Sequence, residues 1–131
     1  MKNNNIISGI LVLALLLGVG LGCESKSSFT YNGSEMEYKN VTSGEARQLM
    51  DYLIEENFFD GPKKSIQLDK SGSTYQFRMV VRAKSRNDQA YHEAGKLFAE
   101  ELSASVFNDE PVEFHICDEH FETIHVIKPK T

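Results

Sequence analysis

The stretch TSGEARQLMDYLIEENFFDGP, residues 42–62, decides the fold class, because it has the start, the periodicity and the end of a helix with one apolar side. Thr42 and Glu45 stand three residues apart, the spacing of a capping box that satisfies free backbone N–H groups of the first turn. Gly61 and Pro62 end the pattern, since Gly adopts positive φ readily and Pro cannot continue a helix. Between them the apolar residues recur at helical spacing: Ala46, Leu49, Met50, Leu53, Ile54 and Phe58. We predict an amphipathic helix that buries this side.

A pair of strands follows the helix, with a turn at residues 70–73. Ile66 and Leu68 supply the inward side of the first strand. In the second strand the inward residues Tyr75, Phe77, Met79, Val81 and Ala83 alternate with Gln76, Arg78, Val80, Arg82 and Lys84. A period of two is typical of a sheet that buries one face and exposes the other. The outward face of this hairpin is therefore predicted to be basic.

The rest of the chain repeats the order of helix and hairpin. A second helix is predicted from Asn87 or Asp88 to about Phe107, with Gly95 and Glu101 interrupting its apolar side. That side consists of Tyr91, Ala94, Leu97, Phe98, Leu102 and Val106. The last hairpin is predicted to have strands at residues 112–117 and 123–128, and residues 38–41 would add an edge strand.

These elements predict a single α+β domain over residues 38–131, a two-layer sandwich in the order α-β-β-α-β-β. Both helices would cover one face of a mostly antiparallel sheet of four or five strands, because every element has one apolar side. The exits from the two helices are also alike, FFDGP at residues 58–62 and VFNDEP at residues 106–111. This likeness predicts an internal duplication of the α-β-β unit.

The first residues, MKNNNIISGILVLALLLGVGLGC, are predicted to be an export signal, since a polar stretch containing Lys2 precedes an apolar run that ends at Leu21. The run closes on Gly22-Cys23, and the segment resembles the signal peptide of bacterial lipoproteins. That resemblance implies that residues 1–22 are removed and that Cys23 carries acyl chains, which anchor the mature chain to a membrane on its extracytoplasmic side, in the cell envelope. Residues 23–37 are then predicted to form a flexible tether.

Charge and cysteine content exclude some classes of function. Without residues 1–22, thirteen Lys and Arg face nineteen Asp and Glu, a net charge of −6. The phosphate backbone repels such a chain, so nucleic acid is not an expected partner. With Cys23 lipidated, Cys117 has no cysteine left to pair with, and no disulfide within the chain is expected.

The stretch EFHICDEHFETIH, residues 113–125, contains three of the four histidines and the second cysteine. Its two strands carry four apolar residues at alternate positions: Phe114, Ile116, Ile124 and Val126. If all four face the helices, the register places His115 opposite His125 with Cys117 beside them on the outward face. These are side chains that bind Zn²⁺. A zinc site is one interpretation, and an ordinary hairpin with solvated outward residues is the other, since the spacing matches no zinc motif.

Two further functions are open at this point. Cys117 with a histidine as its base would be a thiol nucleophile, but no oxyanion device accompanies it. The outward residues Arg78, Arg82 and Lys84 form a basic strip that would dock an acidic protein or a polyanionic polymer of the envelope. We favour a non-enzymatic, membrane-anchored binding or accessory domain without a cofactor, whose partner is an envelope protein. A zinc-binding lipoprotein is the alternative.

Overall fold

A computed structural model describes residues 27–129, so the predicted signal peptide and Cys23 lie outside the described residues. The elements in chain order are β1 (Ser28–Tyr31), β2 (Ser34–Tyr38), α1 (Ser43–Glu55), β3 (Ser65–Ser71), β4 (Thr74–Val80), a 3-10 turn (Ala83–Ser85), α2 (Gln89–Ser105), β5 (Val112–Cys117) and β6 (Thr123–Ile127). Neither α1 nor α2 has the length and apolarity that crossing a membrane requires. The α+β class with two helices is confirmed.

The sheet is larger and more mixed than the sequence predicted. Six strands lie side by side in the order of the chain. The pairs β1–β2, β3–β4 and β5–β6 are antiparallel, whereas β2–β3 and β4–β5 are parallel. The predicted number of four or five strands is therefore wrong, and the two parallel pairs were not predicted, although antiparallel pairs remain the majority. Period-two patterns show which side of a strand is buried, but they do not show which strand lies next to it.

The tether prediction is wrong from residue 28 onward, because residues 28–38 form the hairpin β1–β2. Asn32 and Gly33 form its turn at φ values of 50° and 83°, the left-handed region that Asn-Gly turns adopt. Met36 is fully buried. The predicted edge strand at residues 38–41 is displaced, since β2 ends at Tyr38.

The start of α1 is built as predicted. The Glu45 N–H donates to Thr42 Oγ1 at 3.0 Å, and the Thr42 N–H donates to Glu45 Oε1 at 2.8 Å. Glu45 also accepts a hydrogen bond from the Tyr75 hydroxyl and lies 3.7 Å from Lys70 Nζ. These contacts, the Thr42 N–H foremost, lower the pKa of Glu45. One carboxylate therefore joins the first turn of α1 to the β3–β4 hairpin.

Both helices cover the same face of the sheet. Phe77 of β4 is fully buried, and its ring contacts Phe58, just after α1, at 5.9 Å and Phe98 of α2 at 5.1 Å between centroids. The helices also meet directly, because the Tyr52 hydroxyl donates to Glu101 at 2.6 Å. Burial and this carboxylate raise the pKa of Tyr52 to about 12. The apolar core thus lies between the sheet and the helix layer.

The two crossovers of this fold have opposite hands. α1 connects the parallel strands β2 and β3, and α2 connects β4 and β5, which run the opposite way. The chain moves across the sheet in one direction throughout, and both helices lie on one face. One crossover is therefore left-handed, against the strong general preference for right-handed ones. For the same reason the units α1-β3-β4 and α2-β5-β6 are of opposite hand and no rotation superposes them, so the predicted duplication is wrong.

Candidate functional site

The face of the sheet opposite the helices is polar, and none of the described helices covers it. We call this side of strands β2 to β5 the outer face. Its side chains alternate with the core residues of each strand, and strand pairing aligns them in rows. The charged and titratable members are Glu35, Glu37, Asp69, Arg78, Glu113, His115 and Cys117. The predicted outward orientation of Arg78, His115 and Cys117 is correct.

Arg78 of β4 is the centre of a hydrogen-bonded network on the outer face. Its Nε donates to Gln67 Oε1 on β3 at 2.8 Å, and Gln67 Nε2 donates to Glu37 Oε1 on β2 at 3.2 Å. Its Nη1 lies 3.1 Å from His115 Nδ1 on β5 and 2.9 Å from Thr123 Oγ1 on β6. The network therefore extends over five adjacent strands, from β2 to β6.

His115 is held in one tautomer by this network. A guanidinium only donates, so Nδ1 of His115 accepts from Arg78 and its proton resides on Nε2. Nε2 then donates to Glu113 Oε1 at 2.9 Å. His115 is only 6% exposed. Burial lowers its pKa, and Arg78 lowers it further, although the Glu113 carboxylate opposes the shift. His115 is therefore neutral near pH 7 and serves as a structural acceptor and donor.

The loop between β5 and β6 folds over one end of the outer face. Arg78 Nη2 donates to the carbonyl of Phe121, which has a φ of 60°. Asp118 Oδ1 accepts from the backbone N–H groups of His120 and Glu122 at 2.8 and 2.9 Å. Both bonds lower the pKa of Asp118. The loop is thus fixed from within by Asp118 and from the sheet by Arg78.

Cys117 lies in the buried part of the outer face, beside this loop. It is fully buried, and its Sγ is 3.7 Å from the carbonyl oxygen of His115, to which it donates. Burial raises the pKa of the thiol, so the thiolate that a nucleophile requires is disfavoured. His115 cannot act as its base while Nδ1 accepts from Arg78 and Nε2 donates to Glu113. This arrangement does not favour thiol chemistry.

His125 does not join the predicted zinc set, because the register of the last hairpin differs from the predicted one. Cys117 pairs with Thr123 and Ile116 pairs with His125, and the bulge between these pairs leaves one extra residue in β6. His125 therefore lies on the helix face, where Nε2 is 2.8 Å from Asn87 Oδ1. His115 and Cys117 stay on the outer face. Within residues 27–129 no three His, Cys, Asp or Glu side chains are grouped to hold a metal ion.

The same bulge reverses the burial that was predicted for β6. Ile124 is 43% exposed and Val126 is 40% exposed, although both were predicted to face the helices. Ile127 packs against the core in their place. Its Cδ1 lies 3.2 Å from the position of a Cβ on Gly95, so the glycine that interrupts the stripe of α2 lets β6 approach the helix.

The predicted basic strip is not formed. Strand β4 ends at Val80, Arg82 precedes the 3-10 turn, and Lys84 lies within it, so neither shares the outer face with Arg78. Arg78 itself is engaged by the network. On strands β2 to β5 the outer face carries one Arg and four carboxylates, so it is acidic. The sequence prediction was wrong because it continued the period-two pattern of β4 to Lys84, beyond the end of the strand at Val80.

The sequence prediction missed Gln67 and Thr123, the two neutral residues of the network. Gln67 links Glu37 to Arg78, and Thr123 receives the second bond of the Arg78 Nη1 group. The only signal for either residue was its outward position in a strand that alternates polar and apolar residues. Which polar residues would meet depended on the strand order.

Comparison with known proteins supplies a family and no characterised relative. No curated protein matches the chain, and no solved structure matches it either. A family model covers residues 28–128, which include all six strands and both helices. The matched region begins with β1, well before the predicted domain start at residue 38. The model describes the N-terminal domain of the AF_1994_N family. The chain therefore belongs to this family.

Proposed function

We propose that the chain is a lipid-anchored, non-enzymatic binding domain of the bacterial cell envelope that engages another envelope protein through the outer face of its sheet. The observation that carries this proposal is the network centred on Arg78. It orders polar side chains on five adjacent strands, and none of the described helices covers it. Side chains that are already ordered lose less conformational entropy when a partner binds, which favours recognition at such a face.

The charge of the outer face supports a partner different from the one predicted by the sequence. Glu35, Glu37, Asp69 and Glu113 outnumber the cations there, which are Arg78 and Lys39, the latter 3.8 Å from Asp69. Complementary potentials favour association and like charges oppose it. The partner surface that fits is therefore basic or rich in hydrogen-bond donors, and not acidic. A polyanionic polymer is correspondingly disfavoured.

The short stretch of chain between Cys23 and β1 supports a position of the domain close to the membrane. Five peptide units connect Cys23 to Ser28, where β1 begins. An extended chain spans at most about 3.6 Å per residue, so a lipidated Cys23 would hold β1 within about 18 Å of the lipid. Ser28 pairs with Glu37, near the end of β2. The end of the sheet at which β2 leads into α1 would therefore lie nearest to the membrane.

The absence of catalysis is part of the proposal and is supported by the chemistry of the outer face. The Cys117 thiol is fully buried with a raised pKa, and both ring nitrogens of His115 are hydrogen-bonded. A zinc function is not proposed, since His125 lies on the other face of the sheet.

Two experiments in cells test the anchor and the docking face separately. Cys23→Ala should move the protein from the membrane fraction to the soluble fraction, and unchanged partition would contradict the anchor. For docking, a photo-crosslinking residue replaces Gln76 on the outer face or, as a control, Lys96 on the exposed side of α2. We expect one discrete protein adduct from position 76 and none from position 96. No adduct, or the same adduct from both positions, would refute docking at the outer face.

A further inference from the structure

Strand β6 is an edge of the sheet with unusual exposure. It pairs with β5 on one side, and within residues 27–129 no backbone–backbone hydrogen bond reaches its other side. Its sequence, TIHVI, contains neither Lys, Glu nor Pro, the residues that commonly protect sheet edges. Ile124 and Val126 are 43% and 40% exposed. An edge of this kind readily pairs with another strand.

We propose that β6 pairs antiparallel with β6 of a second copy of this chain, about a two-fold axis at His125. This register sets Ile124 of each copy opposite Val126 of the other, so the exposed aliphatic side chains cover one another. It also brings Glu122 of each copy beside Lys128 of the other. The two six-stranded sheets become one continuous sheet with both helix layers on the same side.

Charge complementarity selects a second copy as the occupant of this edge. Glu122 lies just before β6 and Lys128 just after it, so the strand has an acidic end and a basic end. Antiparallel self-pairing satisfies both ends at once, and the two-fold symmetry doubles each contact. A shift of the register by two residues toward the start of β6 sets Glu122 opposite Val126 and loses both ion pairs. Pro129 limits the pairing beyond Lys128, because it has no N–H to donate.

The dimer and the proposed docking face meet at β6, where Thr123 belongs to the Arg78 network, but different residues test them. β6 pairs through its backbone at the edge of the sheet, whereas the four carboxylates of the outer face lie on β2, β3 and β5. A failure of the crosslinking at Gln76 therefore leaves the dimer untouched, and the reverse also holds.

Charge exchange provides the test. Sedimentation equilibrium would be measured on residues 24–131, which contain every described core residue, with a cooperative thermal melt as the check of folding. Glu122→Lys and Lys128→Glu each replace two attractions by two repulsions, which should weaken dimerisation by about tenfold or more. Glu55→Lys on the exposed side of α1 makes the same change in net charge as Glu122→Lys and serves as its control.

We expect a dimer for the wild type and for Glu55→Lys, and dimerisation weaker by about tenfold or more for each of the two exchanged variants alone. Mixing Glu122→Lys with Lys128→Glu should restore a dimer, since every cross-copy pair is again of opposite sign. The chain that carries both exchanges should also dimerise. The proposal is overturned by a wild type that stays monomeric at high micromolar concentration. It is equally overturned if the exchanged variants dimerise as the control does, or if their mixture stays monomeric.

Discussion

Arg78→Ala should destabilise the domain much more than Arg82→Ala does, although the sequence places the two arginines on the same strip. Arg78 donates to Gln67, His115 and Thr123, and to the carbonyl of Phe121. Arg82 is exposed and precedes the 3-10 turn. The two substitutions remove the same side chain and the same charge, so their difference measures the network.

The expected magnitude follows from which acceptors water can reach after the change. Thr123 is exposed, so its hydroxyl can be rehydrated and its loss costs little. His115 is 6% exposed, and its Nδ1 can still accept from the Thr123 hydroxyl at 3.1 Å, but Nδ1 and the part-buried carbonyl of Phe121 both lose a charged donor, which together costs about 1–3 kcal/mol. The bond to Gln67 adds about 1 kcal/mol, since Gln67 is half-buried. We therefore expect a loss of about 2–4 kcal/mol for Arg78→Ala, and within about 0.5 kcal/mol of zero for Arg82→Ala.

Urea unfolding at pH 7.5, followed by circular dichroism, measures both values, and thermal melting checks them. For a domain of this size the Arg78 variant should melt on the order of 10–25 °C lower than the wild type. Arg78→Lys retains the charge but not the fork of donors, so it should lose more than half as much stability as Arg78→Ala. Equal stability losses for Arg78→Ala and Arg82→Ala would show that the network does not stabilise the fold.

Two further outcomes follow from the buried part of the outer face. The pKa of His115 is lowered in the folded state, so the unfolded chain binds the proton more readily. The contribution of neutral His115 to stability is therefore fully present above about pH 6.5. It is lost as the pH falls through the folded-state pKa. Unfolding free energies between pH 7.5 and 5 should therefore decrease with a steeper slope in the wild type than in His115→Gln, and equal slopes would contradict this. The thiol of Cys117 should react with a thiol reagent only after unfolding, so labelling of the native protein at the rate seen in urea would show that it is accessible.

Local patterns in the sequence predicted most of the helix layer. The capping box at Thr42 and the apolar side of α1 depend on neighbours within a few residues, and these are the interactions that sequence alone specifies. The end of α1 was predicted too late, since the helix ends at Glu55, just before Asn57 with its φ of 61°, and not at Gly61. Glu101 interrupts the apolar side of α2 because it accepts a hydrogen bond from Tyr52 of α1. Gly95 likewise makes room for Ile127 of β6.

The candidate site was predicted less well, because it depends on strand order and register. His115 and Cys117 were placed on the correct face, but one extra residue in β6 moved His125 to the opposite face. The network that surrounds Arg78 required knowing that β3 and β5 flank β4, which periodicity does not encode. The β1–β2 hairpin did have a local signal, the Asn32-Gly33 pair, which is typical of a two-residue turn.

The alternation of hairpins and crossovers also sets the order in which the domain is expected to fold. Three strand pairings close over short turns, and the loop entropy of such closures is small. The two parallel pairings must wait until α1 or α2 has crossed the sheet, which brings together residues far apart in the chain. Of these two, the left-handed crossover works against the natural twist of strand and helix. Its docking is therefore the step at which we expect the folding rate to be limited.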